Sequence, residues 1–406
     1  METGKIHFIP GGTITSAKGF RAGATYTGIK KESQNSLDLG ILFCEVPCAS
    51  AGLFTTIKTR SAPVILCQQR LQNGRAAALV VNSGCANAFT GEQGLADAAE
   101  VAALAADALG IPPEDVLVAS TGVTGQPLPL NLIKMGLGKI ALSADGGHDL
   151  ARAIMTTDIV PKETAVTARA GDIEFTIGGV AKGSGMIHPD MATLLCFLTT
   201  DAAVELGFLK TALKQAADVS LNMVSIDGDT SPSDTVTLMA SGLAGNNTIT
   251  ADSPEATVFQ QALEQVCISL GKALACDGEG ATKLIEITID GAASIPEARK
   301  AARTVASSPL VKAAVHGADP NWGRIVAAAG RSGIEMDGEK IDLYIGEEGI
   351  VKGGRVCSFS RQRVTEILQQ SEVPIRLHLN LGTASATAWG CDLSEEYVTI
   401  NSQYMT

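Results

Sequence analysis

Aromatic side chains are scarce in this sequence, 4% of 406 residues, which argues against the stacking platforms that hold unpaired bases. Positive charge is also in short supply. Lys and Arg number 31 against 43 Asp and Glu, a formal net charge of −12. Phosphate backbones and polybasic membrane contacts both need clustered cations, so neither nucleic acid nor a membrane is the expected partner. The acidity is spread along the chain and fits a role in solubility. No run of ~20 apolar residues exists to cross a bilayer. Met1 to Pro10 has neither the basic-then-apolar order of a secretion signal nor the Arg-rich amphipathic order of a transit peptide, so the cytoplasm is the expected compartment. Nine Cys, an odd number, are then expected as reduced thiols. Cys44 and Cys48 are spaced C-x3-C with no second Cys or His pair nearby, and the five His are scattered. No metal site is therefore expected. Gly-x-Ser-x-Gly, Gly-x-Gly-x-x-Gly and the Walker A pattern are missing, which removes support for a nucleophile-elbow hydrolase and for a nucleotide cofactor.

What remains is a chain with 45% apolar and 18% charged residues, ample for a buried core in one large domain or two to three smaller ones. Helix and strand signals alternate, so the class is mixed α and β. One helix is expected from about Leu95 to Leu109, stopping at Gly110 before Pro112-Pro113. A second follows Asp201, with Leu206, Leu209, Leu213 and Ala216 on one face. A third takes Ser253 as N-cap and Pro254 at its first position, and a fourth runs from Arg361 to Gln370. Period-two alternation marks strands at Ile173-Phe175-Ile177, at Ile285-Ile287-Ile289, and from Ile375 to Leu381. Asp337-Gly338 reads as a hairpin turn.

Two segments could carry chemistry. In the first, a strand ends in a Gly-Ser-Gly loop carrying Lys182, and the chain runs on through His188-Pro189-Asp190-Met191-Ala192 to Thr193. Thr is a poor nucleophile without a base. Breaking the Ala192–Thr193 bond would supply one, because an α-amine has a pKa of ~8 and would stand beside its own hydroxyl. Read without that step, Met191 to Leu195 is a core strand with a satisfied Thr. In the second, the apolar strand Val116–Ala119 ends in Ser120-Thr121-Gly122. Gly permits close backbone approach, and adjacent N–H and O–H donors can form an oxyanion hole; an ordinary strand-to-loop turn is the alternative. Asn82-Ser83-Gly84, Asp227-Gly228-Asp229 and Asp277-Gly278-Glu279-Gly280 are weaker candidates, readable as turns or a helix cap.

Together with Asp319-Pro320-Asn321-Trp322-Gly323-Arg324, Thr387-Ala388-Trp389-Gly390 and Tyr397 to Asn401, these segments resemble, in order, the ornithine acetyltransferase family of ArgJ type. The resemblance implies an α+β fold of sheets layered with helices, similar in layering to N-terminal nucleophile hydrolases. It implies self-cleavage into an α chain (1–192) and a β chain (193–406) that stay interwoven and assemble as α2β2. Matched motif by motif, Thr193 is the nucleophile and Thr121 and Gly122 the oxyanion hole. Thr156, Lys182, Thr193, Glu279, Asn401 and Thr406 are the substrate contacts, with Thr157 adjacent to Thr156. Cys85 and Asp190 stand where Asn is more usual, and Asp190 adds a negative charge just before the cleavage site.

The activity implied is acetyl transfer from N-acetylornithine to glutamate, without cofactor, in arginine biosynthesis. Acetyl-CoA is a further donor in a bifunctional enzyme. A monofunctional ornithine acetyltransferase and a self-processing aminopeptidase, which would pass the acyl group to water, are the alternatives. A non-catalytic amino-acid-binding protein, whose chain would never split, is the reading from a different class.

Overall fold

The computed structural model describes residues 5–30, 36–188 and 194–403. Within them the strands are, in chain order, β1 (Lys5–Phe8), β2 (Phe20–Thr25), β3 (Leu39–Phe54), β4 (Arg75–Cys85), β5 (Val116–Val123), β6 (Lys162–Ala170), β7 (Ile173–Lys182) and β8 (Leu195–Thr200). There follow β9 (Val224–Ser225), β10 (Thr235–Ala240), β11 (Leu284–Ala292), β12 (Asp342–Ile345), β13 (Glu348–Lys352), β14 (Arg355–Val356), β15 (Glu372–His378) and β16 (Ala384–Cys391). They form a nine-stranded sheet in the order β1-β6-β7-β8-β10-β3-β4-β5, with β2 also on β3, and a seven-stranded sheet in the order β14-β13-β12-β15-β11-β16-β9.

Helices Ala62–Arg70 and Gly91–Leu109 cover β5. Helix Ala256–Cys276 lies between the sheets, touching β6 and β7 of one and β9, β11 and β16 of the other. The larger sheet is therefore covered on both faces, and every residue of its central strands β8 and β10 is buried. In β8, Leu195 and Phe197 point into one core and Cys196 and Leu198 into the other. Phe197 and Leu198 are fully buried, and each contributes about 1.5–3 kcal/mol. This is the layered α+β arrangement that the resemblance implied.

The curvature of this sheet makes the site. β3 pairs with β4 from Leu39 to Ala49, with a bulge between Phe43 and Cys48, and with β10 from Ala49 to Phe54. Bulges bend a strand and add twist. β5 and β7 lie five strand steps apart in the order, about 24 Å in a flat sheet. Yet Lys182 at the end of β7 touches Thr121 near the end of β5 at 3.2 Å, so the sheet curls until these ends meet. The order also crosses the Ala192–Thr193 junction twice, because β8 and β10 are inserted between β7 and β3.

Several local expectations are corrected. The third helix begins at Ala256 with Glu255 at its N-cap. Ser253 accepts instead from the Thr250 N–H at 2.8 Å, closing the preceding turn. The hairpin between β12 and β13 turns at Gly346-Glu347, where Gly346 has φ +56°. Asp337-Gly338 is a turn ahead of β12, held by Lys340 N–H to the Asp337 carbonyl. The alternation expected through Leu381 stops at His378, because Asn380 takes a left-handed φ of 56°. The helix expected from Leu95 starts a turn earlier, at Gly91. All nine thiols are free. No described helix is long and apolar enough to cross a membrane.

Candidate active site

A cleft of about 120 Å³ opens where the curled sheet brings its strand ends together. Thr121, Gly122, Thr156, Thr157, Lys182, Asp234, Glu279 and Asn401 line it, with Leu194, the residue after Thr193. Ala192, Thr193, Thr406 and Asp190 lie outside the described residues.

One wall is built from the parallel pair β4 and β5, in which Asn82, Ser83 and Gly84 stand opposite Ser120, Thr121 and Gly122. Ser120 donates to Asn82 at 2.7 Å and Asn82 to the Cys85 carbonyl at 2.9 Å, fixing the two strand ends to each other. Gly122 has φ +119°, and a Cβ there would come within 2.5 Å of the Gly84 backbone. No other residue fits that close approach, so the backbone here stays bare toward the cleft. The Cys85 thiol reaches the Gln126 carbonyl at 3.4 Å, and burial pushes its pKa up.

The facing wall carries charge. The Lys182 ammonium donates to Thr156 Oγ1 at 2.8 Å and to Thr121 Oγ1 at 3.2 Å. Since Lys can only donate, the Thr121 hydroxyl hydrogen is left to point elsewhere. Thr157 instead exchanges a hydrogen bond with Ser184 at 2.6 Å. Burial pulls the Lys182 pKa down, opposed chiefly by Asp158. Asp158 is itself buried, which would raise its pKa, but Lys182 and Lys162 outweigh that and hold it at about 2. Lys162, with a side chain only 1% exposed, bridges Asp158 at 2.6 Å and Asp277 at 2.5 Å.

Glu279 is buried and accepts from Asn401 Nδ2 at 2.7 Å. A Cβ at Gly185 would lie 2.4 Å from its Oε2, so the Gly-Ser-Gly loop lets this carboxylate in. At the far side Asp234 is buried, which pushes its pKa well up, and it accepts from Ser231 N–H at 3.1 Å. The adjacent Ser233 hydroxyl is buried at the cleft without a hydrogen-bond partner among the described residues.

A single stretch, Ser225 to Thr235, grips the chain on both sides of residues 189–193. Asp227 accepts from the N–H groups of Met186 (2.5 Å) and Ile187 (3.0 Å), holding Met186 at its positive φ of 55°. Ser225 lies 2.9 Å from the His188 ring and Thr230 donates to the His188 carbonyl at 2.9 Å. On the other side, Thr235 N–H donates to the Leu194 carbonyl at 2.9 Å.

Thus Thr121, Gly122, Thr156, Lys182, Glu279 and Asn401, singled out in the sequence, converge on one cleft. Asp158, Lys162 and Asp234 were not singled out. The one available signal for Asp158 is a carboxylate set directly before the apolar pair Ile159-Val160; Lys162 and Asp234 carry no local mark. Among the described residues no cluster of three or more His, Cys, Asp or Glu is arranged to hold a metal.

Known proteins resemble this chain over nearly its whole length. The model of the ArgJ family matches residues 21–406. A protein of Dehalococcoides mccartyi named "Arginine biosynthesis bifunctional protein ArgJ" is 53% identical over 401 residues, 99% of each chain. One of the same name from Symbiobacterium thermophilum is 49% identical over 97% of this chain and 99% of its own. A solved structure of an arginine biosynthesis bifunctional protein from Bacillus halodurans is 44% identical with a TM-score of 0.50. Its chain is matched over 97% of its own length but spans 51% of this one.

Proposed function

Because this chain belongs to the ArgJ family, we propose that it moves an acetyl group from N2-acetyl-L-ornithine to L-glutamate through an acetyl ester on Thr193. It is an acyltransferase of arginine biosynthesis. The observation that carries the mechanism is the Lys182 ammonium, which donates to both Thr121 and Thr156 inside the cleft that Glu279 and Asn401 also line.

The Thr193 hydroxyl attacks the acetyl carbonyl carbon while its proton passes to its own α-amine. Negative charge gathers on the carbonyl oxygen. The Thr121 hydroxyl, oriented because Lys182 occupies a lone pair of its oxygen, donates to that charge together with Gly122 N–H. The carbon–nitrogen bond breaks, the leaving amine takes the proton from the α-ammonium, and ornithine departs. The amine of glutamate then attacks the ester and passes a proton to the α-amine. Thr193 recovers its hydroxyl proton as N-acetylglutamate leaves. Lys182, Thr156 and Glu279 with Asn401 hold the charged ends of the amino-acid substrates, and Thr406 completes the set by the family match.

The mechanism needs a free α-amine on Thr193, hence cleavage of the Ala192–Thr193 bond. The half-length chain of the Bacillus halodurans protein supports this. So does the insertion of β8 and β10 between strands of the first half, which keeps the two pieces in one sheet. The pieces assemble as α2β2 in the cytoplasm, and the chemistry requires no metal or cofactor. Acetyl-CoA serves as a second donor, as the word "bifunctional" in the relatives' names suggests. A thioester is more reactive than an amide, and the acetyl-enzyme is the same whichever donor supplied it.

The test is acetyl transfer from N-acetylornithine to glutamate, beside a denaturing gel of the purified protein. Two fragments of about half-length and deacetylation that depends on glutamate support the reading. Release of acetate to water at the same rate without glutamate overturns it in favour of a hydrolase.

A further inference from the structure

Beneath the cleft lies a buried chain of alternating charge that the acetyl-transfer steps do not use. Lys162 bridges Asp158 and Asp277, and all three side chains are at least nine-tenths buried. Each carboxylate also binds backbone belonging to the site. Asp158 accepts from Thr156 N–H at 2.9 Å and Gly183 N–H at 2.7 Å. It thereby fixes the residue that follows Lys182 and the residue whose hydroxyl Lys182 contacts. Asp277 accepts from Ile159 N–H at 3.0 Å and stands two residues before Glu279. Asp158 and Lys162 precede the Ala192–Thr193 junction and Asp277 follows it, so the triad ties the two halves together under the cleft.

We propose that Asp158 is a positioning residue for acyl transfer. Its carboxylate sets Lys182 and Thr156 in register and keeps the Lys182 ammonium charged, so that Thr121 presents its hydroxyl hydrogen to the oxyanion. The proposal rests on the acetyl-transfer reading above. Its physical basis is a competition. Burial favours the neutral amine of Lys182. The titratable groups that face it are Asp158, Lys162, Asp234 and Glu279. Asp158 favours the ammonium most strongly, and Lys162 disfavours it. A neutral Lys182 could accept the Thr121 hydrogen instead of leaving it for the oxyanion. Rate should therefore fall on the alkaline side as Lys182 loses its proton.

Two variants push that alkaline limb in opposite directions. Asp158→Asn removes the attractive charge but keeps the shape, so the limb moves to lower pH by about one unit or more. Lys162→Met with Asp277→Leu replaces the buried bridge by apolar side chains of similar size, a change such pairs often tolerate. It removes the repulsive charge and leaves Asp158 facing Lys182, so the limb moves to higher pH. The measurement is single-turnover acetylation of Thr193 by N-acetylornithine across pH, on protein already cut into two fragments. Opposite shifts support the proposal. Limbs that stay at the parent's pH, or that move the same way, overturn it and leave the triad as scaffolding. If Asp158→Asn does not fold, the double variant decides alone: an upward shift supports, and no shift or a downward one overturns. A parent protein that is never acetylated by N-acetylornithine would instead remove the acetyl-transfer reading.

Discussion

The two walls of the cleft are built from opposite materials. The β4–β5 wall is neutral and made mostly of backbone, with Gly84 against Gly122 and the hydroxyls of Ser120 and Thr121 turned to its edges. The facing wall is made of buried charges, Lys182 and Asp158 above Lys162 and Asp277. A neutral wall of fixed dipoles resists nothing on folding and acts only when charge appears. A wall of buried ions must be complete, because removing one partner strands the other in low dielectric. Damage to the first wall should therefore appear in turnover, and damage to the second in turnover, stability and pH dependence together.

The largest effect is expected where both walls serve the same atom. Thr193→Ala should abolish both chain cleavage and acetyl transfer, giving one full-length band on a denaturing gel; two fragments from this variant would remove Thr193 from the cleavage step. Next comes Gly122→Ala, whose new Cβ would meet the Gly84 backbone at 2.5 Å. Transfer should fall at least as far as in Thr121→Ala, and stability by about 1–3 kcal/mol, measured by denaturant unfolding. Thr121→Ala itself should lose roughly 10²–10³ in turnover with an almost unchanged melting temperature. Equal losses of stability in these two variants would erase the distinction between a backbone and a side-chain donor.

Smaller effects belong to the charged wall. Glu279→Gln keeps an acceptor for Asn401 but removes a charge, so KM for the amino-acid substrates should rise by about tenfold with a smaller change in kcat. The acid limb of stability should also be shared unequally. The folded pKa of Asp158 is about 2, below its ordinary value of 3.8. Its contribution, about 2 kcal/mol by linkage, is thus present above about pH 4 and is lost as pH falls through 2. Asp234 is shifted the other way by burial: it favours the folded state while protonated and loses that contribution as pH rises. Unfolding at pH 3 and pH 6 should differ less in Asp158→Asn than in the parent. An unchanged difference would mean Asp158 is not the main acid-sensitive group.

Much of the neutral wall was legible in the sequence. The apolar run Val116–Ala119 before Ser120-Thr121-Gly122 announces a hydroxyl and a bare backbone, although the strand runs on through them to Val123 where a loop was expected; the Gly-Ser-Gly loop after Lys182 announces another. Glu279 and Asn401 came from the family match, and their hydrogen bond joins residues 122 positions apart. Of the charged wall, Lys182 and the Asp277-Gly278-Glu279-Gly280 segment stood out in the sequence, but the buried triad beneath them did not. Asp158, Lys162 and Asp277 come from two remote parts of the chain, and Lys162 is simply the first residue of an ordinary strand. The docking of helix Ala256–Cys276 on β6 and β7 makes these segments neighbours, and no local pattern encodes that docking. The local misreadings share a cause: Ser253 and Asp337-Gly338 have the chemistry of a cap and a turn, and both do form turns, one element away from where short-range rules put them.

The central claim is that a cut chain carries the acetyl group on the residue that the cut exposes. Intact-mass measurement of the denatured fragments after brief mixing with N-acetylornithine tests it directly. The account predicts that the fragment beginning at Thr193 gains one acetyl group, that this mass disappears on addition of glutamate, and that the fragment ending at Ala192 never changes. An uncut chain that transfers acetyl at full rate, or an acetyl group found on any residue other than Thr193, would contradict it.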